Sequence, residues 1–203
     1  MRLHRWFLLP LLAATPPAVA QVPAASSGWH LGLGIEAVRF AHVAVGQAAP
    51  GVGAEIRPSA RPAAHVSLER AAGSWELGLE AGWAGGHIEV GNEAVTVQDR
   101  ESDVSRYRLA LSVGRRIATT GAGTVVLAIV PTLDLWSVLG DGRGRAGAEA
   151  RLAVRVPLGA VELENRISGG LSGNPIEIED VGVVSNLRGL RMLAVGIALR
   201  IRI

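Results

Sequence analysis

Residues 75–83, with the sequence WELGLEAGW, decide the fold of this chain. Every odd-numbered position in the stretch is apolar, and the even-numbered positions are Glu, Gly, Glu and Gly. Successive side chains of a β-strand point to opposite faces, so a period of two predicts a strand with one apolar and one polar face. An α-helix would scatter the same apolar residues around its circumference. The stretch therefore predicts an amphipathic β-strand.

The same alternation recurs along the chain and predicts eight antiparallel strands in an up-and-down arrangement. The predicted strands cover about residues 28–39, 63–70, 75–83, 104–115, 124–139, 145–156, 160–168 and 190–203. Short connections are predicted at 71–74, 116–123 and 157–159. The intervening connections are three long loops and one of modest length, at 40–62, 84–103, 169–189 and 140–144 respectively. Brief turns at one end and extended loops at the other are typical of outer-membrane β-barrels.

The first 20 residues have the order of a secretory signal peptide. Arg2 and Arg5 form a basic start, residues 6–14 are an apolar run interrupted only by Pro10, and residues 18–20 read Ala-Val-Ala. This pattern predicts cleavage after Ala20, which leaves residues 21–203 as a single β-barrel domain. The apolar run is too short for a membrane-spanning helix.

Composition narrows the functional classes. The chain of 203 residues has no Cys, which excludes disulfides, thiol nucleophiles, iron–sulfur clusters and Cys-ligated zinc. All 20 basic residues are Arg, and after loss of the signal 18 Arg balance 18 acidic residues. A neutral, exported chain is not expected to bind nucleic acid, because such a partner requires a net-basic face.

The polar faces of the predicted strands are rich in Gly, Ala and Ser beside Arg and Glu. Small residues weaken a solvent-facing strand, but inside a narrow eight-stranded barrel they make room for long neighbours. We therefore expect the charged face inside and the apolar face towards lipid. The alternative is a soluble exported barrel that binds an apolar ligand, which would invert the two faces.

Eight acidic residues and seven arginines share the predicted inner face. Because isolated buried charges are costly and the arginine fork can bridge two carboxylates, near balance predicts a paired network that fills the lumen without an open pore. Its predicted members are Glu36, Glu69, Glu76, Glu80, Arg106, Arg108, Asp134, Glu149, Arg151, Arg155, Glu162, Glu164, Arg166, Arg200 and Arg202.

Four aromatic residues lie near the ends of the apolar face. Trp29 and Trp75 are at the short-turn end, and Trp83 and Tyr107 are at the long-loop end. Tyr and Trp prefer the two membrane–water interfaces, so these residues predict two interfacial girdles.

The signal, the eight amphipathic strands and the alternating loop lengths resemble the small outer-membrane β-barrel superfamily of Gram-negative bacteria, of the eight-stranded OmpA/OmpX-like type. The resemblance covers nearly the whole chain and implies a cell-envelope location, insertion by the barrel-assembly machinery, and contact with outer-membrane lipid and lipopolysaccharide. Three features depart from it: the chain ends in Arg200-Ile201-Arg202-Ile203 without a terminal aromatic residue, Pro131 lies within a predicted strand, and Asn165 lies on the predicted lipid face.

One trio of residues is a weak candidate for catalysis. His65, Ser67 and Glu69 share one face of a strand, where His65 could orient Ser67 for nucleophilic attack. The pair resembles the His-x-Ser of outer-membrane lipid A deacylases, but Leu68 stands where that family has Asn, and the trio is predicted to face the lumen. The alternative is a hydrogen-bonded interior group.

No cofactor and no metal site is predicted. The acidic loop 84–103 offers hard oxygen ligands from residues such as Asp99 and Asp103, but it lacks EF-hand spacing and favours a solvated loop. The sequence thus favours a non-enzymatic barrel of structural or surface-interaction role, with any recognition in the long loops. The loop ligand cannot be read from the sequence, and a lipid-modifying enzyme remains the alternative.

Overall fold

The computed structural model describes residues 28–41, 44–49, 52–59, 61–91, 96–177, 184–187 and 189–203. The predicted signal peptide, residues 1–20, lies outside these ranges. Within them, no helix is long and apolar enough to cross a membrane. The strands are β1 Gly28–Phe40, β2 Ala44–Ala49, β3 Val52–Pro58, β4 Arg61–Ala72, β5 Trp75–Gly91, β6 Thr96–Thr120, β7 Gly123–Val138, β8 Asp141–Leu158, β9 Val161–Ser172, β10 Val184–Leu187 and β11 Leu190–Arg202.

Eight of these strands close into an antiparallel ring, in the order β1, β4, β5, β6, β7, β8, β9 and β11. The ring closes because β1 pairs with both β4 and β11. The register of the ring is staggered. A path that starts at Trp29 and passes from each residue to its partner on the next strand returns to β1 at Arg39, ten residues further along. This stagger is a shear number of ten, which tilts the strands by about 40°. The predicted eight-stranded up-and-down barrel is confirmed.

The turns at one end of the barrel, which we call the short-turn end, are all tight. Residues 73–74, 121–122 and 159–160 each connect two barrel strands with only two residues. At the opposite, long-loop end, the predicted loop 140–144 is wrong, because β8 already begins at Asp141. Leu139 and Gly140 alone form that turn, with φ of 53° and 92°, which are the positive angles a tight hairpin requires.

Strand structure also extends into the regions predicted as long loops. β5 and β6 continue as a hairpin to Gly91 and from Thr96, β3 pairs with the end of β5, β2 pairs with β3, and β10 pairs with β2. Beyond the height of the membrane neither face of a strand must be apolar, so the alternation that reveals a strand is lost. The sequence therefore predicted these barrel strands too short and missed three strands.

Pro131 interrupts one ladder without causing a bulge. It pairs with Ala148 of β8, where the ladder is continuous. On the β6 side the pairing stops after Ala110 with Thr132 and resumes at Val113 with Ile129, in the same register. Proline has no N–H to donate, which explains the local loss.

Candidate functional site

Along the barrel strands, alternate residues face a lipid-facing exterior and a buried lumen, a property that we call the parity of a position. On β1, Leu33 is 69% exposed, whereas Glu36 is 5% exposed. The other barrel strands follow the same rule, with leucine, isoleucine and valine outside and most ionised side chains inside. The alternative of a soluble barrel around an apolar ligand is therefore wrong, because it requires the opposite orientation.

Thirteen of the fifteen side chains predicted for the interior network are buried. The two that are not lie at the mouth of the lumen, at the short-turn end. The side chain of Glu162 is 37% exposed and pairs with Arg200, and Arg202 is exposed at the end of β11.

Glu80 is the centre of the network. Its carboxylate accepts two hydrogen bonds from Arg151, at 3.1 and 3.2 Å, and one from Arg166, at 2.6 Å. Arg108 lies 3.7 Å from the same carboxylate. Arg166 also donates to Glu36 at 2.7 Å. Because the carboxylates and guanidiniums are shared among several partners, this part of the lumen holds no isolated charge.

Arg155 joins the network at the short-turn end. Its guanidinium donates to Glu164 at 2.6 Å, to Glu69 at 2.9 Å, and to Glu76. Arg200 donates to the same oxygen of Glu69 at 2.7 Å. The contact between Arg155 and Glu164 joins the paired strands β8 and β9. The contacts of Arg155 and Arg200 with acids on β4 and β5 cross the lumen and link strands that are not neighbours in the ring.

At the long-loop end the network finishes at Arg106. Its guanidinium donates to Asp134 at 2.9 Å and lies against two adjacent rings, 5.7 Å from the centroid of Phe40 and 5.5 Å from that of Trp136. Ser172 donates to the other oxygen of Asp134 at 2.8 Å. Arg106 thus contacts the charged lumen on one side and aromatic rings on the other.

Beyond Arg106 the lumen is lined mainly by apolar side chains, a feature that the sequence did not predict. The inward positions of β1, for example, change from Glu36 to Val38 and Phe40, which removes the contrast between the two faces. Apolar residues at inward positions near the long-loop ends of β1, β7 and β11 were the available signal. We call this cluster the apolar plug; its buried members are Val38, Phe40, Ile56, Ala63, Ile88, Val104, Trp136, Val138, Ile176, Leu190, Met192 and Ala194.

The weak catalytic candidates lie in the lumen. His65 and Ser67 are buried, and Nδ1 of His65 is 3.0 Å from Arg166. A Cβ at Gly34 would come within 2.4 Å of the His65 ring, and one at Gly32 within 2.4 Å of the Ser67 hydroxyl. The glycines of β1 therefore leave space for these side chains. Glu69 accepts hydrogen bonds from Arg155 and Arg200, so the trio belongs to the packed interior, away from membrane acyl chains.

All four predicted girdle aromatics are exposed on the outer surface. Trp83 and Tyr107 are paired across β5 and β6. At the short-turn end Trp29 pairs with Arg70, and Trp75 pairs with Arg115. The two guanidiniums lie over the rings of their partners, at 5.6 Å and 5.9 Å from the centroids. These contacts combine a cation–π interaction with a residue type that prefers the membrane interface.

The acidic loop is only partly described. Glu89 accepts a hydrogen bond from Arg57 at 2.9 Å, while the side chains of Asp99 and Asp103 lie outside the described part. Among the residues that the structure describes, no group of three or more His, Cys, Asp or Glu side chains could hold a metal ion.

No family model matches the chain, and no curated protein matches its sequence. Among solved structures it is similar to Neisserial surface protein A, with a TM-score of 0.59 and 12% identity over 87% of this chain and 98% of that one. It is also similar to the outer membrane protein OprG from Pseudomonas aeruginosa, with a TM-score of 0.57 and 9% identity over 88% and 98% of the two chains. The chain therefore has the fold of the small, eight-stranded outer-membrane β-barrels, as the sequence predicts.

Proposed function

We propose that this protein is an outer-membrane β-barrel of structural or surface-interaction role whose lumen does not conduct. The observation that carries the proposal is the filling of the lumen by two successive layers, the charge network and the apolar plug. Three cavities lined by lumen side chains measure only about 10 to 20 Å³ each. That is about the space of one water molecule, so none of them forms a pore.

Planar-bilayer recording tests the closed lumen. The refolded wild-type protein is expected to insert without steady conductance steps, because hydrated ions have no continuous path through paired arginines and packed rings. The variant Phe40→Gly/Trp136→Gly removes the aromatic part of the plug and tests whether these rings block conductance. The variant Leu33→Gly/Leu135→Gly removes similar bulk from the lipid face and is the control. A stable ohmic conductance of the wild-type protein would overturn the proposal of a closed barrel.

The surface role is proposed to reside at the long-loop end, where β2, β3 and β10 extend the sheet beyond the ring. A variant in which residues 41–60 and 173–189 are replaced by short turns tests this assignment. We expect it to insert like the wild-type barrel while the surface adhesion of cells expressing it changes. Sensitivity of the same cells to a detergent with a chelator measures the structural role. The proposal is wrong if producing the full-length protein changes neither property.

A further inference from the structure

We infer that Arg39 and Arg191, on the outer surface at the long-loop end, bind the phosphorylated headgroup of a lipid in the outer leaflet. The inference rests on the proposed function, since it requires the barrel to be embedded in a membrane. It adds a binding site on the exterior that is separate from the lumen.

The two arginines lie close together on adjacent strands. Arg39 of β1 pairs with Leu193 of β11, and the N–H of Ala41 donates to the carbonyl oxygen of Arg191 at 2.9 Å. Arg191 is therefore the diagonal neighbour of Arg39, a relation in which long side chains are within reach of each other. Both side chains are exposed, so both guanidiniums can turn to one ligand.

No carboxylate among the described side chains neutralises this pair. The outward neighbours Ala37, Leu193 and Leu171 are apolar, and the inward residues behind the pair, Phe40 and Met192, belong to the apolar plug. On the barrel strands the described acids of the membrane-height region point into the lumen instead. Two adjacent positive charges without a counter-charge repel each other, and a bound anion removes that cost.

The height of the pair matches a lipid headgroup. Arg39 is ten residues beyond Trp29 on the same strand, which for a strand tilted by about 40° corresponds to about 25 Å along the barrel axis. That distance equals the apolar band of an outer-membrane barrel, about 25 Å. Because Trp29 marks one interface, Arg39 and Arg191 lie at the other. The planar guanidinium fork is suited to phosphate oxygens, which two arginines can grip from two sides.

The short-turn end supplies a matched comparison. Arg70 and Arg115 also point outward near an interface, but each lies over the ring of its own tryptophan. They are also on β4 and β6, which are separated by β5 in the ring. They have the same charge as Arg39 and Arg191 without forming an adjacent pair. Replacing them changes the net charge by the same amount and leaves the proposed site intact.

Binding can be measured with the full chain reconstituted in phosphatidylcholine nanodiscs. The probes are a fluorescent bis-phosphorylated lipid A, its dephosphorylated form, and inorganic phosphate as a competitor. The wild-type protein is expected to bind the phosphorylated lipid in preference to the dephosphorylated one. Arg39→Gln/Arg191→Gln is expected to weaken binding by about tenfold or more, because two charge-assisted contacts are lost. Arg70→Gln/Arg115→Gln is expected to bind like the wild-type protein.

Each other outcome is decisive. Equal binding by Arg39→Gln/Arg191→Gln and the wild-type protein, with both barrels folded as judged by heat-modifiable gel migration, overturns the inference and leaves the proposed function standing. Equal affinity for both forms of the lipid overturns it as well. Displacement of the lipid by an equal concentration of inorganic phosphate identifies free phosphate as the ligand and rules out a lipid-specific site. Failure of the wild-type chain to enter nanodiscs refutes the proposed function together with the inference.

Discussion

The lumen of this barrel has two regions that occupy equivalent inward positions on the same strands and differ in chemistry. Around Glu80 the interior is ionic, and the carboxylates of Glu36, Glu80 and Glu149 each accept at least one hydrogen bond from a guanidinium on another strand. Around Leu190 it is apolar and closely packed. The ionic region must recover a large desolvation cost through pairing, whereas the plug is stabilised by contact alone. The two regions therefore close the same tube with opposite sensitivities to substitution.

The largest effect is expected from breaking the ionic region at its centre. Glu80→Gln removes the charge that Arg151 and Arg166 share, and leaves buried guanidiniums with too few counter-charges. The free energy of unfolding should fall by about 3–5 kcal/mol. Urea unfolding of the refolded protein in vesicles, followed by tryptophan fluorescence, measures the change.

Glu162→Gln is the matched control, because this partly exposed acid lies at the mouth of the lumen. Its loss should cost less than about 1 kcal/mol. If the two variants were equally stable, burial would not be what makes the network sensitive.

The plug should respond to lost volume instead of lost charge. Leu190→Ala empties a fully buried site and should lower the free energy of unfolding by about 3 kcal/mol. Leu193 lies three residues further along β11 on the lipid face, and Leu193→Ala should cost about 2 kcal/mol, because lipid chains fill the vacated space and only the lost transfer energy remains. The same unfolding assay compares them, and a larger loss for Leu193→Ala would contradict the assigned faces.

Replacing the last ion pair of the network by apolar residues tests whether the apolar plug can be extended into the ionic region. Arg106→Met alone leaves Asp134 buried without its guanidinium and should cost about 3–5 kcal/mol. Adding Asp134→Leu should recover most of that loss, leaving about 1 kcal/mol for the Ser172 hydroxyl that loses its acceptor. A double-mutant cycle measures the coupling. A double variant as unstable as Arg106→Met would show that the pair cannot be replaced by an extension of the plug.

The smallest effect is expected outside the lumen. Arg70→Gln removes the guanidinium that lies over Trp29 and should lower the free energy of unfolding by about 0.5–1 kcal/mol, the size of an exposed cation–π contact. The free energies of unfolding of Trp29→Phe/Arg70→Gln and of the two single variants give the coupling energy between the two residues. A coupling energy as large as that between Arg106 and Asp134 would mean that this contact is shielded like a buried one.

The comparison also explains what the sequence could predict. Alternation identified all eight barrel strands, because a lipid-facing side and an ionic lumen leave a strong period of two. It also selected the charged residues that meet in the lumen, since parity places them on one face. The partners could not be predicted: Arg166 and Glu36 are far apart in sequence, and only the stagger of the ring brings them to 2.7 Å.

The features that the sequence did not predict lie where the two faces of a strand do not differ as lipid-facing and ionic. In the plug the inward side chains are apolar, so the rule that polar side chains face the lumen did not select Phe40 and Trp136, and only their inward parity near the strand ends marked them. β2, β3 and β10 lie beyond the apolar band, where no alternation is required. β7 and β8 are joined by a turn in which Leu139 has a positive φ, a conformation that is uncommon for leucine and could not be predicted from the residue type.

The seam between β1 and β11 has a consequence for biogenesis. It joins two segments that are far apart in the chain, so the sheet keeps two open edges until β11 has been made. A product that stops short of Leu190 would leave both edges unpaired and open to pairing with other chains, which links quality control of this protein to the synthesis of β11.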